Sequence, residues 1–181
     1  MIPPWILPMF PALAIFTGAW WAYRRGMNSA KEDQGVATST AGTSLPSPIM
    51  AALGWPYYFG KGSPSTPWTD GPLGVDCSGF VQMALVKLGA LSSSAPDRGA
   101  ASLADDSAPI AVGGQQAGDL AYYPGHIMLV AGPPGSDGHS PVMGASGGRS
   151  YTLGNNPDAR VKLFSSGKYR SDFVTYMRLK A

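Results

Sequence analysis

A thiol and an imidazole suffice for nucleophilic acyl transfer if a fold brings them together, and this chain holds one cysteine and two histidines. The cysteine, Cys77, lies in DCSGFVQMALVKLGAL. Phe80, Val81, Ala84, Leu85 and Leu88 recur there at helical spacing, so the segment reads as a helix that starts at the cysteine and stops at Gly89. Asp76 is suited to cap it. A core cysteine would sit among the apolar positions, whereas this one stands between Asp76 and Ser78, with Gly79 next to leave room for substrate or backbone. A free thiol has a pKa of roughly 8.5, and the N–H groups of a helix start favour the thiolate. Fast alkylation at pH 6 would mark an activated thiol, and slow alkylation an inert buried one.

His126 opens the apolar run HIMLVAG after a Pro-Gly pair. In a strand, His126, Met128 and Val130 share one face and Ile127, Leu129 and Ala131 the other. A histidine at the start of a buried strand is well placed to face a helix N-terminus packed on the sheet. There it would take the thiol proton and later return it to a leaving amine. His139, in a Gly/Ser/Pro-rich turn, reads as a solvated loop residue.

The elements that must position these groups follow from pattern. IMAALGW suits a short helix ended by Gly54 and Pro56, and residues 91–116 read as loop with one helical turn. AGDLAYY, HIMLVAG, PVMGAS, RVKLF and DFVTYMRL read as five strands, with Asp119 a turn residue at the first. A helix followed by antiparallel strands is an α+β pattern.

Composition sets the outer limits. A single cysteine excludes an intramolecular disulfide and leaves no Cys-based metal site, so neither metal nor organic cofactor is expected. The net charge of +2, without a Lys/Arg block, gives no footprint for nucleic acid. Residues 1–25 form an apolar, membrane-anchor-like segment: Ile2 to Tyr23 is uncharged, with Trp20, Trp21 and Tyr23 before Arg24 and Arg25. Pro8 and Pro11 would kink or delay a helix there. A packing or assembly segment and a cleaved signal are the alternatives, the signal fitting poorly because its charge follows the apolar core. Residues 26–47 read as a small, polar linker and 48–181 as the folded domain.

WPYYFGKGSP, GVDCSGFVQMALVKLG, AGDLAYYPGHIMLVAG and VMGASGG come in the order found in NlpC-type cell-wall endopeptidases, the NlpC/p-sixty family, which this chain resembles over nearly all of residues 50 to 148. VKLFSSGKYRSDFVTYMRL is similar to the closing strands of phage-encoded members. The resemblance implies a papain-like α+β fold, Cys77 as nucleophile and His126 as general base. The family's oxyanion-site tyrosine falls on Tyr57, with Phe59 and Lys61 replacing a Trp and a Gly of that motif. The family's third residue, a polar side chain on the strand after the base, falls on Gly144, which has none. Ser146, two residues on and on the same face, is the candidate to orient the imidazole, with a backbone carbonyl or His139 as alternatives. The implied substrate is the bacterial peptidoglycan stem peptide, cut between D-γ-glutamyl and the diamino acid. A membrane- or virion-associated setting, with residues 2–23 making the contact and a phage tail or lysis role, belongs to the same expectation. A wall amidase, an acyltransferase, or a catalytically weak structural component are the rival readings.

Overall fold

A computed structural model describes residues 44–180. The expected anchor 1–25, and the expected linker up to residue 43, lie outside the described residues. A short helix α1 (Ser47–Met50) leads to a 3-10 turn at Trp68–Leu73, then to α2 (Cys77–Lys87) and α3 (Ala100–Asp105). Six strands follow: β1 (Ser107–Ile110), β2 (Leu120–Tyr123), β3 (His126–Val130), β4 (Val142–Ser146), β5 (Arg160–Phe164) and β6 (Thr175–Leu179), with a second 3-10 turn at Gly167–Tyr169. They form one sheet in the order β1-β6-β2-β3-β4-β5, every neighbouring pair antiparallel. The α+β class read from the sequence is the one found, with the cysteine-bearing helix packed on an antiparallel sheet.

Strand alternation divides the apolar residues between the two faces of the sheet. Ile127, Leu129, Met143, Ala145 and Val161 pack with Phe80, Val81, Ala84 and Leu85 of α2. Ala121, Tyr123, Met128, Val130, Val142 and Tyr176 form a second cluster, with Phe164, Tyr169 and Phe173 against it. The sheet is thus covered on both faces, by α2 on one and by the β5–β6 connection on the other.

Two elements and one residue depart from the sequence reading. β1 falls inside the stretch expected to be loop, because Pro109 and the four-residue length hide it; a proline is tolerated there since β1 is an edge strand. The first helix begins at Ser47 and ends at Met50, shorter than IMAALGW suggested. Leu45, expected in the linker, is buried and donates its N–H to the Ala131 carbonyl at 3.1 Å.

Candidate active site

Asp76 is the N-cap of α2: its Oδ1 accepts the Gly79 N–H at 2.7 Å and the Ser78 hydroxyl at 3.2 Å, and its Oδ2 accepts the Gly60 N–H at 2.9 Å. One carboxylate therefore fixes both the helix start and the loop in front of it. Its burial raises its pKa, with those N–H bonds working in the opposite direction. The Asp76 N–H donates to the Lys61 carbonyl at 2.9 Å. The Lys61–Gly62 backbone lies so close to the helix that a Cβ on Gly79 would come within 2.2 Å of the Lys61 oxygen. Gly79 thus makes room for backbone, one of the two roles open to it from sequence.

Cys77, in the first turn, is 8% exposed. The backbone N–H groups of Ile127, Ser78 and Cys77 itself favour the ionised form of the thiol. Burial, the largest effect, and the Asp76 carboxylate outweigh them, so its pKa stands above the ordinary 9.0. Desolvation thus works against the helix start in a site this closed.

The β3–β4 ladder pairs Leu129 with Met143 and Val130 with Val142 and goes no further toward the start of β3, where His126 and Ile127 stand.

His126 shares the face of Met128 and Val130, away from the body of α2. Its ring lies 5.7 Å from that of Tyr123, and its Nε2 is 3.1 Å from the Tyr169 hydroxyl. Thiol and imidazole are not hydrogen-bonded to each other. Unliganded sites commonly show long or open catalytic hydrogen bonds. Burial, aided by Arg170, lowers the His126 pKa to about 4, while Asp172 opposes the shift. At neutral pH both groups are uncharged.

Tyr57 is 6% exposed, beside the thiol. Burial raises the phenol's pKa, with further increments from Cys77 and Asp76. Its N–H donates to the Ala159 carbonyl at 2.8 Å, and it forms a parallel bridge with Val75, two residues before Cys77. Its hydroxyl makes no hydrogen bond to the described residues and is free for a ligand. Gly148 lies flat against its ring, where a Cβ would come within 2.0 Å of the aromatic carbon. The Gly147–Gly148 pair therefore does more than turn the chain.

Gly144 and Ser146 project to the face of His126, as the parity of the register requires. The space above Gly144 is taken by Met128, whose Cε and Cγ would lie 3.1 and 3.2 Å from an added Cβ. Ser146 does not bond the imidazole; its hydroxyl lies beside the Tyr169 phenol and counters part of the rise that burial gives the phenol's pKa. His139 is buried rather than solvated, with its Nδ1 3.3 Å from the Tyr176 hydroxyl and its ring edge-on to Phe173. Asp119 is a buried structural acceptor, receiving Arg178 at 2.7 and 2.8 Å and the Gln116 N–H at 2.7 Å.

Two residues of the site were not read from the sequence. Gln82, fully buried on α2, donates to the Asp97 carboxylate at 2.8 Å and the Arg98 carbonyl at 2.9 Å, and accepts the Arg98 N–H at 2.9 Å. A polar residue inside an apolar helical run was the available signal. The other is Tyr169, for which no pattern existed. Among the described residues, no group of three or more His, Cys, Asp or Glu could hold a metal ion.

The chain matches no protein-family model and no curated protein. Among solved structures it is similar to the crystal structure of a protein described as similar to lipoprotein, NLP/P60 family, from Staphylococcus aureus subsp. aureus Mu50. The identity is 21%, the TM-score 0.46, and the match covers 78% of this chain and 45% of that one.

Proposed function

We propose that this domain is a cysteine peptidase that hydrolyses amide bonds in peptidoglycan stem peptides, the bond after D-γ-glutamate being the expected one. The observation that carries the reading is a buried thiol at the Asp76-capped start of α2, in one domain with a buried histidine at the start of β3, the strand α2 packs on. In the reaction His126 takes the Cys77 proton as sulfur attacks the carbonyl carbon. The carbon–nitrogen bond breaks, the imidazolium gives its proton to the leaving amine, and water activated by His126 releases the acid from the thioester. Burial suits this order: the charged pair forms only when substrate is in place and water is excluded. Tyr57, with its free hydroxyl beside the sulfur, and the N–H groups of the helix start are the donors for the developing oxyanion.

Digestion of purified sacculi by the full chain, with products read by mass spectrometry, tests the reading. Soluble stem-peptide fragments with a new D-glutamyl terminus are expected. Release of intact stem peptides from the glycan would instead indicate an amidase. No products from a folded chain would favour the structural reading, to which the missing thiol–imidazole hydrogen bond and the raised thiol pKa lend their weight.

A further inference from the structure

The position where a polar side chain was expected to orient His126 is empty of one: Gly144 carries no side chain, and Met128 fills the space. The imidazole is nonetheless held. Tyr169 arrives from the 3-10 turn between β5 and β6, 43 residues along the chain, and sets its hydroxyl 3.1 Å from Nε2.

That phenol is fixed on every side. Its ring stacks on Phe164 with centroids 3.8 Å apart and planes 17° from parallel, and it meets Tyr123 edge-on at 5.5 Å. The turn that carries it is tied down by the Tyr123 hydroxyl donating to the Gly167 carbonyl at 2.6 Å and by the Gly167 N–H donating to the Ser140 carbonyl at 2.8 Å. Two aromatic contacts and two anchored backbone groups leave the hydroxyl little freedom. A side chain held this firmly can select one tautomer of the ring it touches.

The direction of the bond follows from what surrounds it. Nε2 is engaged by the Tyr169 hydroxyl, so a proton can be taken up without breaking that contact only at Nδ1, with the Nε2–H donated to the phenol oxygen. Nδ1 has no hydrogen-bond partner among the described residues, so in this tautomer its lone pair is the free base. The charged groups nearby, Arg170 and Asp172, are paired with each other at 2.9 Å and do not bond the ring.

We propose that Tyr169 is the positioning residue of His126: its hydroxyl accepts the Nε2 proton and holds the imidazole in the tautomer whose Nδ1 receives the proton of Cys77. The catalytic part of this inference rests on the peptidase reading; the tautomeric part does not.

The experiment is nitrogen-15 NMR of the two histidine rings in the full chain at pH 7, with His126→Gln to assign them, alongside hydrolysis of sacculi. Wild type should show Nε2 protonated and Nδ1 bare. Tyr169→Phe keeps the ring stack and removes only the oxygen. It should fold, shift His126 toward a mixture of tautomers, and lower kcat about tenfold or more with little change in KM. A His126 ring protonated on Nδ1 in wild type, or one indifferent to Tyr169→Phe, would overturn the proposal. Tyr169-dependent tautomers in a chain that releases nothing from sacculi would uphold the positioning and sink the peptidase reading.

Discussion

At the residue scale the site is a neutral pair. His126 is depressed to about 4, chiefly by burial, and Cys77 is raised chiefly by burial, so neither is charged between about pH 5 and pH 8. General-base catalysis needs unprotonated His126. The acid limb of kcat/KM should therefore lie near pH 4, not near the ordinary histidine value of 6.5. Iodoacetamide should alkylate Cys77 slowly at pH 6 and faster only in the alkaline range, even in a working enzyme. The same shift acts on folding. The unfolded chain binds a proton on His126 below about 6.5 that the folded chain refuses until about 4, so this group's contribution is full above 6.5 and is lost as the pH falls through that window. An acid limb near 6.5, or fast alkylation at pH 6, would show that the site is wetter and more charged than its geometry implies.

At the element scale the site depends on where α2 starts. Asp76 caps it, the Lys61–Gly62 backbone presses on its first turn, and the helix ends in a Schellman closure in which the Ala90 N–H reaches the Leu85 carbonyl at 2.9 Å and Gly89 lies at φ 73°. Gly79→Ala should therefore destabilise the domain by about 1–3 kcal/mol, since the atoms in its way are backbone and cannot rotate aside. Gly99→Ala, with nothing within 4 Å of its added methyl, is the control and should stay within about 0.5 kcal/mol. Urea denaturation of both variants measures the difference. Equal midpoints would mean that the loop yields. The helix, its cap and five strands were legible in the sequence because each carries a local signal: a period, a cap residue, a Pro-Gly turn. β1 was not, since four residues with a proline have no period to show. His139 was misread for the opposite reason. Its neighbours look like a solvated turn, and only Phe173 and Tyr176, 34 and 37 residues further on, bury it.

At the scale of the whole molecule, the site is assembled from segments far apart in sequence. Tyr57 comes from the segment bridged to Val75, Cys77 from α2, His126 from β3, Ser146 from β4 and Tyr169 from the turn before β6. β6, the last strand, pairs between β1 and β2, so the sheet and the wall around His126 close only when the chain is complete to its final strand. This is why Cys77 and His126 could be proposed from their own neighbours and Tyr57 through the family resemblance, whereas Tyr169 could not. Its role exists only in the folded arrangement. The account's central claim is that Cys77 and His126 act as one unit on peptidoglycan. The most direct measurement is the rate of fragment release from sacculi by the full chain carrying Cys77→Ala, His126→Ala and both. Residues that act as a unit are strongly non-additive, so each single variant should lose nearly all activity and the double should lose no more. Release that persists in Cys77→Ala, or single losses that multiply in the double, would contradict it.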